Sequence, residues 1–259
     1  MTIRNIIGKE LGHMRWIIVT GILLSVGTAV LLVLSHLYMQ QFIDELPGEL
    51  IDMLMKSELT HEILAWFGDY SLYVWSQWHA KNWLQLAALF SIIIASVQFA
   101  GEVSNKTISF FLSRPLSRAI GYTGKVLSGL LLLLIMLASG TLAIWLFSSI
   151  LGYNLEYGRF LIATVVSLVW VISFYILGTI ISILNREPVM GGVLIGLTGV
   201  VLSLLGLFSY TRQFSVFYQM RAMDFYLFGS SPWLSIFTGL LVSFALFYLG
   251  IKLFSKKDF

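Results

Sequence analysis

Side chains that could carry out catalysis form no recognisable constellation in this sequence. It has no cysteine, which excludes thiolate metal sites and cysteine nucleophiles. It also lacks a His-Glu-x-x-His motif, a paired-carboxylate arrangement and a Ser-His-Asp pattern. Gly124-Lys125 is followed by Val126, and Ala119 stands where a phosphate loop needs its first glycine. We therefore expect no enzymatic activity, no catalytic residue, and no cofactor or metal bound by this chain.

The composition is typical of a membrane protein. Of the 259 residues, 58% are hydrophobic and 11% are charged, whereas a soluble domain has about 25% charged residues. A soluble fold of this length could not cover its surface with so few polar groups. Soluble enzymes, nucleic-acid-binding proteins and disordered proteins are thereby excluded.

Six stretches are long and apolar enough to cross the roughly 30 Å of hydrocarbon in a bilayer. We predict an all-α polytopic membrane protein with one transmembrane domain over residues 1–259, without a separate soluble domain. The predicted spans are about 16–38, 83–101, 126–151, 160–184, 189–209 and 233–253.

Ionisable residues are almost absent from these spans. Apart from Lys252 at the end of the last one, they contain no Asp, Glu, Lys or Arg. The one histidine, His36, lies near the outer end of the first span and is interpreted as an interfacial residue. Ion-coupled carriers usually place ionisable residues at membrane depth. A secondary carrier is therefore disfavoured.

The positions of the basic residues predict the orientation, because cytoplasmic loops are enriched in Lys and Arg. Five of the 16 basic residues fall on one side: Lys56, Lys81, Arg159, Arg212 and Arg221. The other eleven fall on the side of the two termini, and segment 44–69 on the opposite side is acidic. We expect a multi-pass protein of the cell (plasma) membrane of a bacterium, with both termini cytoplasmic.

Residues 2–14 are predicted to form an amphipathic helix at the inner membrane interface. Polar residues, Glu10 among them, are assigned to the face opposite the apolar stripe. A solvated N-terminal tail is the alternative. The stripe comprises Ile3, Ile6, Ile7, Leu11 and Met14.

Residues 39–82 are predicted to form an outer helical loop with an aromatic cluster. Aromatic residues are enriched at membrane interfaces, so a belt that anchors two short helices is favoured over a lid that contacts substrate. The cluster comprises Trp66, Tyr70, Tyr73, Trp75, Trp78 and Trp83.

Residues 102–125 are predicted to form a bent element on the cytoplasmic side. Pro115 removes a backbone donor and disfavours helix at Arg114, so the chain should bend there. An ordinary basic loop is one interpretation. The apolar set Ile108, Phe111 and Leu112 instead favours docking into another protein.

Residues 210–232, before the last span, are too long for a turn and unusually apolar for a loop. They are predicted to be either re-entrant half-helices or an interfacial helix. A re-entrant element must be buried in protein or line a cavity, and would mark an outer gate. The gate candidates are Phe214, Phe217, Tyr218, Phe225 and Tyr226.

Glycines at four-residue spacing occur in the fifth span. Gly192 and Gly196 form a Gly-x-x-x-Gly pattern. Such a pattern permits close contact between helices, so helix packing is predicted there.

The segment after the second span resembles that of permease subunits of type-2 ATP-binding-cassette (ABC) exporters. Such permeases often have a Glu after span two, then Gly-Thr, an apolar stretch, a Pro-(Leu/Val/Ile)-Ser-Arg element, and Gly-Lys opening span three. Val103 stands where this family usually has a second acid, and Lys106 where it frequently has Gly. The matching residues are Glu102, Thr107, Phe110-Phe111-Leu112, Pro115-Leu116-Ser117-Arg118 and Gly124-Lys125.

The resemblance implies a translocation pathway formed by two permease subunits, identical or paralogous, in the lipid bilayer. It also implies two copies of a cytoplasmic ABC ATPase, which would bind ATP and Mg; no nucleic acid is expected. An amphipathic peptide, a lipid-like molecule or a hydrophobic drug is the expected substrate. The alternative is a non-transporting ABC-type membrane module for immunity, sensing or extraction. The implied ATPase-coupling residues are Glu102, Lys106, Thr107, Ile108, Phe111, Leu112, Arg114, Pro115 and Arg118.

Overall fold

The computed structural model describes residues 2–45, 47, 68–108 and 117–257, and these are helical with no strand among them. Six of the described helices are long and apolar enough to cross a membrane. The predicted all-α polytopic fold is therefore confirmed. The helices are α1 (Ile3–His13), α2 (Arg15–Asp44), α3 (Tyr70–Ser104), α4 (Arg118–Ile150), α5 (Tyr157–Leu184), α6 (Pro188–Leu204), α7 (Val216–Met220), α8 (Met223–Phe228) and α9 (Pro232–Lys256).

The helix α3 begins at Tyr70, well before the predicted start of the second span near residue 83. Asp69 caps it by accepting a hydrogen bond from the Leu72 backbone N–H at 3.0 Å. No proline or glycine follows until Gly101, so the helix continues through π-helical turns at Trp78–Asn82 and Val97–Gly101.

The aromatic residues of α3 point into the protein rather than forming an interfacial belt. Trp75, Trp78 and Trp83 are at most 2% exposed. Trp78 packs against Gly140 of α4 so closely that a Cβ at Gly140 would lie 2.3 Å from the indole ring. Glycine is therefore needed at Gly140 for α3 and α4 to approach. Among the cluster predicted from the sequence, Trp66 lies outside the described residues.

The helix α5 lies at the centre of the fold and packs against α3, α4, α6, α7 and α9. By contrast, α6 and α9 present rows of large apolar side chains outwards, including Val193, Leu197, Phe237 and Phe244. Such a surface fits lipid or another membrane subunit.

The pair Gly192 and Gly196 packs against α3 at ordinary distances. A Cβ at Gly192 would lie 3.7 Å from Ile92, and one at Gly196 would lie 4.0 Å from the same side chain. Gly250 of α9, like Gly140, is a site of much closer approach, because the Tyr122 hydroxyl occupies the space of a Cβ there.

Both chain termini lie at one end of the bundle, which we call the terminal end. There α1 packs against α4, and Ile6 fills the space beside Gly124. Among the described residues of α1, the buried face comprises Ile6, Glu10 and Met14, which recur every four residues. Glu10 thus lies on the packed face, not on the opposite polar face predicted from the sequence.

Candidate coupling site

The segment that leaves α3 turns sharply after Ser104. Lys106 has a φ of 56°, a left-handed conformation that glycine adopts most easily. Thr107 donates a side-chain hydrogen bond to the carbonyl of Glu102 at 3.3 Å, and Ile108 is 4% exposed.

Four of the predicted coupling residues lie outside the described residues: Phe111, Leu112, Arg114 and Pro115. The structure describes the two ends of the segment, at Glu102–Ile108 and from Ser117 onward. Their contacts therefore define the candidate site.

At the first end, Lys125 binds two carboxylates at once. Its Nζ lies 3.0 Å from Oε1 of Glu10 and 2.9 Å from Oε1 of Glu102. The ammonium group also donates to the carbonyl of Gln98 at 3.1 Å. We call Glu10, Lys125 and Glu102 the ion triad. It joins α1, α4 and the last turn of α3.

The ion triad is buried from solvent. Lys125 is fully buried and Glu10 is 3% exposed, while the side chain of Glu102 is 15% exposed. Lys9 adds a longer contact, with its Nζ 3.8 Å from Oε1 of Glu102. Buried charges are tolerated only when they are paired and hydrogen-bonded, so the triad fixes the relative positions of the three helices.

A network of uncharged side chains surrounds the triad. Gln98 donates through Nε2 to the Lys125 carbonyl and to Ser128 Oγ, both at 2.9 Å. Tyr175 of α5 donates its hydroxyl proton to Oε1 of Gln98. The central helix is thereby connected to the triad through hydrogen bonds.

At the second end, Arg118 opens α4 and contacts the end of α9. Its Nη1 donates to the carbonyl of Ser255 at 3.2 Å and to that of Lys257 at 2.6 Å. The last carbonyls of a helix have no partner within the helix, and a cation near them is favourable. Lys257 in turn donates to the carbonyl of Ile183, near the end of α5.

Glu102 and Arg118 were predicted from the sequence as site residues, whereas Glu10, Gln98 and Tyr175 were not. Lys125 was assigned to the cytoplasmic segment 102–125, although it is fully buried within α4. The available signal was the position of Glu10 between Ile6 and Met14, each four residues away on the same helical face.

At the opposite end, the short helices α7 and α8 hold four of the gate candidates, and Phe214 lies in the turn before α7. Phe217 packs its ring 5.1 Å from that of Phe174, and Tyr226 stacks on Trp75 at 5.1 Å. At a rise of 1.5 Å per residue, Phe174 lies about 25 Å along α5 from Tyr157, the first residue of this helix. The amino end of α7 therefore lies beside the middle of α5.

The gate candidates divide between buried and exposed positions. Phe217, Tyr218 and Tyr226 are buried within the chain, Phe225 is half-buried, and Phe214 is 65% exposed. Tyr218 donates its hydroxyl proton to Oδ1 of Asp224 at 2.5 Å. Only part of the predicted set therefore remains open to a ligand in a single chain.

A cavity of about 1030 Å³ lies between the segment with α7 and α8 and the helices α5 and α9. Trp170, Phe214, Phe225 and Leu246 contribute apolar lining, and Arg212 and Gln219 contribute polar atoms. Asp224 and several serine side chains also line the cavity. A mostly apolar cavity of this size that also presents polar side chains is suited to an amphipathic molecule.

The fold and this site define a class of polytopic membrane protein. At the terminal end, charged residues anchor the segment between α3 and α4 to the neighbouring helices. In a comparison with protein families, residues 4–216 match the family described as ABC-2 family transporter protein. The chain belongs to this family and is a membrane permease component of an ABC system.

Membership also identifies what the chain works with. ABC-2 permeases are embedded in the membrane and partner with an ABC ATPase, which carries the ATPase activity. No curated protein and no solved structure gave a significant match. Within the residues that the structure describes, no group of three His, Asp or Glu side chains is arranged to hold a metal ion.

Proposed function

We propose that the chain forms half of the translocation pathway of an ATP-driven exporter in the cell membrane. Two permease subunits would enclose the pathway, and two cytoplasmic ATPase subunits would bind ATP and Mg. Membership of the ABC-2 family is the observation that carries this proposal. The missing phosphate loop and the excess of Lys and Arg on the side of the termini agree with it.

The ATPase docks on the segment between α3 and α4. Phe111 and Leu112 supply apolar contacts, and Lys106, Thr107 and Arg114 supply polar ones. Ile108, which is 4% exposed, instead packs within the chain. Pro115 sets the bend. When the two ATPases close on ATP, each segment is displaced, and the two permeases move relative to each other.

The cavity beside Trp170 and Gln219 supports the substrate class that we propose. Its walls are mostly apolar but include polar side chains, and it lies where α7 reaches the middle of α5. An amphipathic peptide, a lipid-like molecule or a hydrophobic drug would bury its apolar part against Trp170 and keep its polar part near Gln219 and Arg212.

The test is ATP-dependent transport by the chain reconstituted with the ATPase that co-purifies with it. In inside-out vesicles, we expect a fluorescent amphipathic peptide to accumulate in the lumen with ATP and not with a non-hydrolysable analogue. Replacing Phe111 and Leu112 with Glu should abolish accumulation and leave membrane insertion intact. Accumulation that persists without the ATPase would refute the proposal.

The acidic segment 44–69 favours a second function, a module that extracts a cationic amphiphile from the membrane without transporting it. Such a module would hydrolyse ATP faster in the presence of the amphiphile, yet no label would enter the lumen. Measuring hydrolysis and accumulation on the same vesicles distinguishes the two functions.

A further inference from the structure

The segment between α3 and α4 is tied to other helices at both of its ends. Before it, Glu102 is joined to α1 through Lys125 and Glu10. After it, Arg118 is joined to the last turn of α9. A displacement of the segment therefore reaches helices at both extremes of the chain.

The contacts that connect the segment to α1 are more deeply buried than the contacts that connect it to α9. The Arg118 contacts are partly open to solvent, whereas Lys125 is fully buried. A buried ion pair is only weakly screened by salt. If it separates, each charge is left in apolar surroundings without water to solvate it, which is costly. The ion triad is therefore the stiffer of the two connections.

We infer that Lys125 is a positioning residue that makes α1 move together with the end of α3 when the ATPase displaces the segment. Glu10 is its contact on α1 and Glu102 is its contact on α3. The inference rests on the proposed function, because it takes the ATPase as the source of the displacement.

The substitution Glu10→Ala tests the tie without leaving an unpaired charge. Lys125 would still pair with Glu102 at 2.9 Å, and alanine is the best helix former. The chain should therefore fold, with α1 attached by its apolar contacts alone. Arg4→Ala is the matched control, because Arg4 lies on an exposed position of the same helix.

Movement can be followed by spin labels at two exposed positions, Gly12 of α1 and Ser104 of α3. The chain has no native cysteine, so Gly12→Cys and Ser104→Cys give a unique pair. Distances are measured by pulsed electron resonance on the permease–ATPase complex in lipid nanodiscs. One sample is free of nucleotide, and the other is trapped with ATP and vanadate.

With Glu10 present, we expect one narrow distance distribution that is the same in both states, because α1 follows α3. With Glu10→Ala, we expect a second, longer distance in the trapped state. Its population should be about tenfold higher than in the unmodified chain, because a charge-assisted contact is lost. Arg4→Ala should behave as the unmodified chain does.

A conservative replacement provides the rescue. Glu10→Asp keeps a carboxylate on α1 for Lys125, so the second distance should be less populated than with Glu10→Ala. The inference is overturned if Glu10→Ala matches the unmodified chain in both states, or if Glu10→Asp shows the second distance as strongly as Glu10→Ala does. Failure of the ATPase to bind would instead refute the proposed function, and the co-purification step detects that separately.

Discussion

Replacing Lys125 with Met removes the only member of the ion triad that carries a positive charge. Methionine keeps the length and apolar stem of the side chain, so the loss is chiefly electrostatic. Glu10, 3% exposed, would keep a buried carboxylate without its counter-ion, and Glu102 would keep only the 3.8 Å contact with Lys9. Breaking a buried ion pair by removing one partner costs about 3–5 kcal/mol.

The expected result is a large fall in thermal stability. For a domain of this size, each kcal/mol shifts Tm by about 2–4 °C, so Lys125→Met should lower Tm by roughly 6–20 °C. The assay is thermal unfolding of the purified permease in detergent, followed by intrinsic tryptophan fluorescence. Membrane insertion should be unaffected, because the substitution makes α4 more apolar.

A neutral version of the triad provides the control. Combining Lys125→Met with Glu10→Gln and Glu102→Gln removes all three charges, and such replacements are often close to neutral in stability. We expect this triple variant to recover most of the lost Tm. If Lys125→Met alone changes Tm by less than about 2 °C, the buried pairing does not hold the helices together as described.

Three further predictions concern other contacts. Arg118→Ala should speed hydrogen exchange in the last turn of α9 about tenfold, because two carbonyls lose their donor; Arg118→Lys, which keeps the charge, should show a smaller effect. Gly140→Ala should destabilise the fold by about 1–3 kcal/mol through overpacking against Trp78, measured as Tm, whereas Gly196→Ala should be close to neutral. Tyr226→Phe loses the hydrogen bond from its hydroxyl to the Ser71 carbonyl, which should lower the free energy of unfolding by about 1 kcal/mol. Tyr226→Leu also loses the ring stacking and should lower it by about 0.5–1.5 kcal/mol more. Equal Tm values for the two variants would contradict the stacking.

The six spans could be predicted because their signal is local. Each is a run of apolar residues long enough to cross a bilayer, and no tertiary contact is needed to recognise it. The start of α3 was harder to predict, since Tyr70–Asn82 mixes aromatic and polar residues and resembles an interface segment. Its burial depends on α4, where Gly140 makes room for Trp78.

The ion triad could not be predicted from spacing. Lys125 and Glu10 are 115 positions apart. Ile6 and Met14 place Glu10 on the apolar face of its helix, but no spacing in the sequence relates Glu10 to Lys125. Rules for membrane topology count a lysine beside a span as a loop residue, which is how Lys125 was assigned. The gate candidates were predicted as a group because their aromatic density is local, but which of them are buried depends on packing against α3 and α5.

The contact between Glu10 and Lys125 also has a consequence for how the protein is made. Glu10 leaves the ribosome 115 residues before its partner Lys125, which lies in the third span. At about 5–20 residues per second, roughly 6–23 s of synthesis separate the two. During that interval α1 has no finished binding surface, and its apolar face is available to lipid or to a chaperone at the insertion site. The helix α1 is therefore synthesised before the surface on which it packs, and it takes its final place only after three of the six spans have entered the bilayer.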